Sequence, residues 1–468
     1  MRSLSLHRFA RRSIGTSALA MLVAFTAAHT ADELTFGGMG WVQYGRVVHS
    51  TDTSQSNYNG NSVQSTGAQI SLRFKASETF EGAVGIGVLE THFLSGANRG
   101  GRVPMTLTPY IAEASFTYSF WNEDEAKLRL RGGLFPYNYN PDVKNLGLYL
   151  LRGPVHPGIV LSGFETKAVL PIANTLGFQL HHQTGAFQQD FLLNSETDLY
   201  PFFDVSPAYI AHYQAGSILR IGGGVNFYRY LSVESKLTSP DYFSPTGRDQ
   251  TPDGPHPYRR SYIYVDTAGM GAGGSGDTTF ISFRGIKLMA DASFDPKPLF
   301  GSPEILGAED LKIYSEVALL GIENNKAYNE IYGDYLHRMP VMVGFNLPAF
   351  KWLDVLSMEV EWYGAKFRDD LFRYQTGRSY YPSPLPVSGS TSYPGEGSTL
   401  FDYEKNQKRD NWKWSLYGAK TIEKHFKVSG QVANDHFRPG GVMGNPSQEA
   451  ILSTPKDWYW MAKIADFF

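Results

Sequence analysis

The chain has 468 residues, a formal net charge of −3, 19% charged residues and no cysteine. A protein that binds duplex nucleic acid neutralises phosphates with a basic surface, so this charge balance argues against that class. The absence of cysteine excludes a disulfide framework and every thiolate metal or nucleophile site. With 28 Tyr, 30 Phe and 48 Gly, the composition favours strands and turns over a bundle of membrane helices.

The first residues have the pattern of a targeting segment. Arginines at positions 2, 8, 11 and 12 precede an apolar run over residues 14–28, which has the length of a signal-peptide core. Small residues favour cleavage after Ala28 or Ala31. Arg11 and Arg12 also fit a twin-arginine signal, but a merely basic leader is the simpler interpretation. We expect residues 1–31 to be a signal peptide and residues 32–468 to form one exported domain.

Beyond the leader, apolar and polar residues alternate with a period of two in almost every segment. Leu128 and Leu130, for example, stand between Lys127, Arg129 and Arg131. The same alternation occurs in residues 68–75, 110–120, 219–227, 286–292 and 358–362. A period of two places alternate side chains on opposite faces of a strand. Each strand is therefore predicted to have one apolar and one polar face, and no apolar run reaches the roughly 18 residues of a transmembrane helix.

Two architectures fit this alternation. In a soluble sandwich or propeller, the apolar face packs against a second layer. In a closed membrane barrel, the apolar face meets lipid and the polar face lines a water-filled interior. The strands run for about ten to thirteen residues, as a tilted membrane span requires. Aromatic residues also gather near predicted strand ends, where interfacial girdles lie in barrels: Tyr110, Phe120, Trp458 and Trp460.

The links between strands alternate between short turns and long polar loops, which favours the barrel. Counting them gives sixteen strands, with both chain termini on the side of the short turns and a longer link over Pro296–Asp310 as the exception. Because strand boundaries read from sequence are imprecise, fourteen or eighteen strands are alternatives. The predicted fold is an all-β, transmembrane, antiparallel β-barrel of about sixteen strands, wide enough for an aqueous lumen.

The end of the chain, "DWYWMAKIADFF", resembles the assembly signal of Gram-negative outer-membrane barrels. Trp460, Ile464 and Phe468 match its alternating apolar pattern, whereas Asp466 departs from it. The leader, strand layout and long loops resemble porins, although no substrate-specific subfamily motif matches. The resemblance implies an outer-membrane location with short periplasmic turns, long extracellular loops and passive diffusion of small hydrophilic solutes. It also implies contact with lipid and lipopolysaccharide, recognition by the barrel-assembly machinery, and a homotrimer as a candidate assembly.

In porins, the link after the fifth strand commonly folds into the lumen and narrows it. Here that link is residues 136–158, which contain an apolar core unusual for a solvated loop: Leu146, Leu148, Leu150 and Leu151. The resemblance implies a constriction formed by this loop, with four polar side chains near it: Asp142, Lys144, Arg152 and His156. An outside loop with a short packed helix is the alternative.

The predicted polar faces carry charges that differ between the two halves of the chain. Basic residues follow the second and fifth strands: Arg73, Lys75, Lys127, Arg129 and Arg131. Acidic residues follow the eleventh and thirteenth strands: Glu316, Glu359 and Glu361. Opposed luminal rows of this kind set a transverse field across a bore and sort solutes by charge and dipole. The alternative is that the rows neutralise one another and only solvate the lumen.

Motifs for catalysis and metal binding do not appear. The sequence has no GxSxG, GxxxxGK[ST] or HExxH pattern, so no enzyme of those classes is predicted. Histidines and an aspartate considered as catalytic groups fit solvated strand residues better: His181, His182, Asp435 and His436. The polar stretches Gly269–Asp277 and Asn57–Asn61 lack calcium-binding spacing and are expected to be flexible loops. No cofactor and no metal are predicted.

A second functional class remains open. The segment Phe372–Lys405 is a long loop rich in tyrosine, and its rings could stack against sugars: Tyr374, Tyr380, Tyr381 and Tyr393. The alternative to a channel is therefore a surface receptor or adhesin barrel that binds polysaccharide through aromatic-rich outer loops.

Overall fold

The computed structural model describes residues 33–50, 59–93, 107–123, 126–152, 174–197, 203–231, 262–266, 278–282, 285–301, 303–322, 334–363, 412–437, 452 and 454–468. The predicted signal peptide, the loop 372–405 and residues 269–277 lie outside them. The described helices are the 3-10 turns Lys297–Phe300 and Tyr335–Arg338. Within the described part of the chain, no helix has the length and apolar character needed to cross a membrane.

Sixteen strands form one closed sheet. They are β1 (Glu33–His49), β2 (Ser62–Lys75), β3 (Phe80–Phe93), β4 (Leu107–Asn122), β5 (Ala126–Pro136), β6 (Asn174–Thr184), β7 (Phe187–Ser195), β8 (Val205–Ala215), β9 (Leu219–Tyr228), β12 (Gly285–Phe294), β13 (Ile313–Leu319), β14 (Val341–Asn346), β15 (Val355–Trp362), β16 (Trp412–Ile422), β17 (Phe426–Asn434) and β18 (Trp458–Phe467). Between β9 and β12, the strands β10 (Tyr262–Asp266) and β11 (Thr278–Ser282) form a separate hairpin.

The ring closes through its first and last strands. β1 pairs antiparallel with β18, from Met39 opposite Phe467 to His49 opposite Trp458. The other neighbours are also antiparallel, and β9 pairs directly with β12. Since a closed ring has no edge strand, the backbone groups of each strand find partners on both sides. The prediction of a sixteen-strand antiparallel barrel is confirmed.

The two ends of the barrel differ in their links. Short links join β2 to β3, β6 to β7, β8 to β9 and β16 to β17, and the predicted exception, between β12 and β13, spans residues 295–312. Glu33, at the start of β1, lies opposite Lys75 at the end of β2, directly before a short link. The N-terminal end of the barrel therefore lies on the side of the short turns, as the alternation of links predicts.

The alternation of the sequence matches the two faces of the barrel wall. On β15, Met358 is 49% exposed, whereas its neighbours Glu359 and Glu361 are fully buried. On β14, Val343 is 49% exposed and Met342 is buried. Exposed apolar side chains occur all around the outer face, among them Phe36, Ile70, Phe178, Ile221, Val428 and Ile464. The outer face is therefore apolar, and the charged residues of the strands concentrate on the inner face.

One aromatic residue departs from the predicted girdle. The register between β3 and β4 shifts between Gly85 and Ile86, which brings Tyr110 opposite Gly87. The Tyr110 hydroxyl donates to Gln69 Oε1 at 3.3 Å, and the side chain is buried on the inner face. The placement of Tyr110 in an outer aromatic ring is therefore wrong, because a β-bulge exchanges the two faces of a strand at that point. Phe120 does lie on the outside and is 50% exposed.

The apolar core lies inside the barrel. The largest cluster combines residues of the segment after β5 with inner-face residues such as Ile210, Met289 and Met342. A second cluster surrounds Tyr459 and Met461 of β18, and a third includes Trp41 of β1. The lumen is thus partly filled by residues of the chain itself.

Gly133 lies near the end of β5, at a position where the backbone requires glycine. Its φ of +112° lies in a region that side chains rarely adopt, and it pairs with Gly177 of β6. A Cβ at Gly133 would also overlap the carbonyl oxygen of Ala114 on β4. The close approach of three strands therefore requires glycine here.

We expect Gly133→Ala to lower the free energy of unfolding by about 1–3 kcal/mol, from backbone strain together with the overlap. Gly40→Ala on β1 is the matched control, because a Cβ there meets no heavy atom within 4 Å. Urea titration, monitored by tryptophan fluorescence, measures the free energy of unfolding of both variants. Equal stability of the two variants would contradict the close approach described at Gly133.

Candidate functional site inside the barrel

Residues 137–152, here called the inner segment, follow β5 and lie inside the barrel. Their partners are inner-face side chains of distant strands: Glu316 of β13 and Glu359 and Glu361 of β15. No helix occurs in the inner segment, so these residues do not form the packed outside helix of the alternative interpretation. Residues 153–158, including the predicted site residue His156, lie outside the described part of the chain.

Apolar side chains hold the inner segment against one wall. Leu146, Leu148 and Leu150 are buried, and Leu151 packs at the margin of the same cluster. Their neighbours come from β7, β8 and β12 to β14. Burial of a leucine side chain contributes roughly 1.5–3 kcal/mol. The leucines that appeared out of place in a solvated loop therefore form the core between this segment and the wall.

Glu359 binds the backbone of the inner segment at three consecutive residues. Its carboxylate accepts hydrogen bonds from the N–H groups of Lys144, Asn145 and Leu146, at 2.6, 2.8 and 2.8 Å. The Tyr314 hydroxyl donates to the same carboxylate at 3.0 Å. Hydrogen bonds to an ionised acceptor are roughly twice as strong as neutral ones. Glu359 thus fixes the position of the turn that contains these residues.

Glu316 and Glu361 bind the two flanks of the same segment. Glu316 accepts from the Tyr139 hydroxyl and the Tyr149 N–H, both at 2.8 Å. Glu361 accepts from the Tyr149 hydroxyl at 2.7 Å and contacts His436 on the other side. Together with Glu359, these carboxylates form three anchor points along one wall.

The acidic row in the structure therefore differs from the row that the sequence predicts. Glu316, Glu359 and Glu361 point inward, but their exposed fractions are 1%, 0% and 0%. The expectation of a row that faces open water needs correction: the inner segment covers all three side chains. The physical reason is that backbone N–H and hydroxyl groups of the segment take the place of water around the carboxylates.

Tyrosine hydroxyls supply several of these donors. Burial raises the pKa of Tyr137, Tyr139 and Tyr149 well above the ordinary value, and the adjacent carboxylates raise each pKa further. Tyr137 donates to Asp190 of β7 at 2.9 Å, in the same way that the other two donate to glutamates. Each phenol therefore keeps its proton and serves as a permanent donor.

A charged cluster joins the inner segment to the short-turn end of the barrel. Asp142 lies 3.5 Å from both Arg220 and Lys312, and Glu309 lies 2.6 Å from Lys312 and 3.3 Å from Lys144. This cluster contains two of the four predicted constriction residues, Asp142 and Lys144. Its charges alternate, so each ionised group has at least one neighbour of opposite sign.

The cluster perturbs the titration of its members. Burial acts to raise the pKa of Asp142, but a hydrogen bond from Ser293 and the charges of nearby cations outweigh it, so the pKa lies below the ordinary value. The pKa of Glu309 is lowered in the same way, with Lys312 as the main partner opposing burial. Burial acts to lower the pKa of Lys312, but the hydrogen bond to Glu309 and the charges of Glu309 and other nearby carboxylates together outweigh it, and the pKa is raised.

Arg152, the third described member of the predicted constriction set, has a different position. It is buried, and its guanidinium donates to the carbonyls of Asn145 at 3.0 Å and Gly147 at 2.6 Å. Both acceptors belong to the inner segment. Arg152 therefore stabilises, from within the segment, the same turn that Glu359 of β15 binds through hydrogen bonds. A role of Asp142 and Lys144 in a constriction stays a prediction.

The predicted basic residues lie on the inner face of the facing wall, on β2 and β5. Arg73 is exposed, and Lys75 forms an ion pair with Glu78 of the following turn at 2.9 Å. Arg131 pairs with Glu113 of β4, and Arg129 donates to the side-chain oxygen of Asn122. Lys127 is half-buried. Their role as pore-lining groups stays a prediction.

The sequence pattern does not single out several residues of the site. Lys287 of β12 is fully buried, with its ammonium 3.4 Å from the Tyr149 carbonyl and 3.5 Å from the Arg152 carbonyl. Asn226 of β9 donates to the Leu150 carbonyl at 3.0 Å. Lys287 and Asn226 occupy polar positions of alternating strands, so the sequence pattern predicts that they lie on the inner face. The pattern does not predict that a distant segment covers them.

The histidines considered for catalysis have structural partners. His181 lies 2.8 Å from Asp190, and His436 contacts Glu361. Asp435 accepts from the Tyr459 hydroxyl at 2.7 Å, whereas His182 lies on the outer face beside Gln189. Among the residues that the structure describes, no group of three acidic or histidine side chains is arranged to hold a metal ion.

The residues of the predicted assembly signal share one face of β18. Ile464 is 56% exposed and Phe468 is 70% exposed, both on the outer side of the wall. Trp460 stacks edge-to-face with Tyr44 of β1, at 5.6 Å between ring centroids. Asp466, the departure from the pattern, lies on this same outer face, opposite Gly40 of β1. Recognition of this face by an assembly machinery stays a prediction.

Comparison with known proteins gives structural similarities alone. No family model and no curated protein matches the sequence. A triple mutant of the Rhodopseudomonas blastica porin is 7% identical, with 93% of this chain and 100% of that chain covered and a TM-score of 0.39. A second mutant of the same porin has the same identity and coverage and a TM-score of 0.40. The barrel assignment for this chain comes from its own strand pairing.

We expect Glu359→Gln to loosen the inner segment, because an amide presents one acceptor oxygen and a donor to three N–H groups. The free energy of unfolding should fall by roughly 2–4 kcal/mol. Trypsin should then cut after Lys144, which mass spectrometry of the fragments detects. Glu423→Gln, an exposed carboxylate in the turn after β16, is the control and should behave as wild type. Wild-type protection of Lys144 in the Glu359→Gln variant would refute the anchoring role.

The Asp142 cluster predicts a defined pH dependence. A carboxyl whose pKa is lowered by folding contributes stability that is present above its ordinary pKa of about 4 and is lost as the pH falls through the folded pKa. The stability difference between wild type and Asp142→Asn should therefore be full at neutral pH and shrink on acidification. Urea titrations across this range measure it, with Glu304→Gln, an exposed carboxylate, as control. A difference that is independent of pH would contradict the ion-pair account.

Proposed function

We propose that the barrel lies in the outer membrane of a Gram-negative bacterium and acts as a porin-like channel for passive diffusion of small hydrophilic solutes. The observation that carries this proposal is the closed sixteen-strand ring with an apolar outer face and a charged inner face. A barrel of this strand number is wide enough to enclose an aqueous passage.

The outer face supports a position in lipid. Large apolar side chains remain exposed along the wall, and no backbone edge interrupts it. Exposed tryptophans lie near both ends: Trp352 precedes β15 at the short-turn end, and Trp412 begins β16 at the other end. Such aromatic side chains suit the membrane interface. The predicted signal peptide agrees with export across the inner membrane.

The inner segment supports a constricted passage. Its residues occupy the lumen next to β7, β8 and β12 to β15. The passage would therefore run between the inner segment and the wall of β1 to β5. Asp142 and Lys144, which are 13% and 16% exposed, would meet the solute at the margin of the segment.

The proposal also includes the partners that an outer-membrane barrel requires. The outer face would contact lipid and lipopolysaccharide, and Trp460, Ile464 and Phe468 would present the assembly signal on that face. A homotrimer is the proposed assembly by resemblance to sixteen-stranded porins. Neither catalysis nor a cofactor has a role in this function.

We expect purified protein to produce stepwise ion currents in a planar lipid bilayer, because water in a continuous lumen conducts ions. A heat-unfolded sample of the same preparation is the control and should give none. A folded barrel that inserts but stays sealed, and that binds polysaccharide, would overturn the channel and favour the receptor or adhesin instead.

A further inference from the structure

The charges of the inner face are not equally available to water. On the wall behind the inner segment, Glu316, Glu359 and Glu361 are 1%, 0% and 0% exposed. Each carboxylate is directly hydrogen-bonded to the segment. A solute that passes through the lumen therefore meets the backbone and side chains of the inner segment rather than these carboxylates.

The opposite wall retains accessible cations. Arg73 is exposed, its cross-strand neighbours Thr35 and Ala83 are uncharged, and it forms no ion pair within the described residues. Arg129 is half-buried and donates to the neutral side chain of Asn122. Within the described residues, neither guanidinium group pairs with a carboxylate, and both lie on the luminal side of the wall.

The remaining charges of this wall leave an excess of positive sign. On the inner faces of β1 to β5, the cations are Arg73, Lys75, Lys127, Arg129 and Arg131, and the anions are Glu33, Glu81 and Glu113, so five minus three gives +2. Glu78 of the turn after β2, which pairs with Lys75, lowers this excess to +1. Glu33 and Glu81 lie on either side of Lys75 at the short-turn rim. Glu113 is engaged by Arg131. The charges without a partner of opposite sign therefore include Arg73 and Arg129.

We propose that the passage prefers small anions, such as chloride and short carboxylates, over cations of similar size. This inference rests on the proposed channel and names its substrate class. The physical cause is an asymmetry of burial: the inner segment separates the acidic carboxylates from the passage and surrounds them with N–H and hydroxyl donors, and the basic wall stays in contact with water. A passage whose accessible charges have an excess of one sign, enclosed by low-dielectric walls, concentrates counter-ions.

Screening of the wall charges by salt distinguishes this mechanism from selection by width. The Debye length is about 10 Å at 0.1 M salt and about 3 Å at 1 M. A preference due to wall charges should therefore increase as the salt concentration falls. A preference due to the width of the passage alone would not change with ionic strength.

Reversal potentials across a bilayer in a KCl gradient test the inference. The wild-type ratio of chloride to potassium permeability should exceed one and should rise at lower salt. Arg73→Gln with Arg129→Gln should lower the ratio by roughly a factor of two or more. Glu113→Gln should raise it, because it removes an anion and leaves Arg131 without its counter-charge.

The control removes the same charge outside the lumen. Lys351→Gln with Lys424→Gln alters two exposed lysines of the short turns before β15 and after β16, and the ratio should stay at the wild-type value. Arg73→Gln alone is the second variant in case the double variant does not fold, since Arg73 is exposed and makes no described ion pair.

The outcomes separate the inference from the function on which it rests. Wild-type currents that favour potassium, or an equal change in the control variant, overturn the anion preference and leave the channel intact. An absence of currents from folded, inserted protein overturns the channel itself and the preference with it. A ratio above one that falls in the Arg73 and Arg129 variants supports both.

Discussion

Pairing of the backbone in a closed ring is the constraint on which the rest of this structure depends. The antiparallel contact between β1 and β18 removes the last sheet edge, so the wall needs no second layer to cover it. The outer face is consequently free to be apolar along its whole height. The inner face can then hold polar and charged residues, and those residues decide what occupies the lumen.

The inner segment shows how a barrel builds a core within itself. Its leucines pack on inner-face residues such as Met289 and Met342, and its backbone N–H groups bind Glu359. The two kinds of contact support each other: apolar packing excludes water, and a hydrogen bond to a carboxylate gains strength where water is excluded. A buried carboxylate without such donors would be costly, so the burial of Glu359 and the position of the segment depend on one another.

Alternation of residue type was sufficient to predict strands with one apolar and one polar face, and the order of short and long links predicted their number. The turns after β6 and β8 were not placed correctly from the sequence. The leucines after β5 also distinguished that link from the solvated loops. Two features were beyond sequence reasoning for identifiable reasons. The bulge that turns Tyr110 inward depends on the register with β3. The burial of Glu316, Glu359 and Glu361 depends on contacts with a segment more than 150 positions earlier in the chain.

The two walls of the lumen show that one sequence pattern has two physical outcomes. Glu359 and Arg73 both stand at polar positions of alternating strands, and period two alone assigns them the same environment. The inner segment lies against one wall and not the other, so Glu359 exchanges water for backbone donors and Arg73 keeps its contact with solvent. A charge in a barrel therefore acts on solutes or on the fold according to what covers it. Only an uncovered charge can be contacted directly by a solute in the lumen.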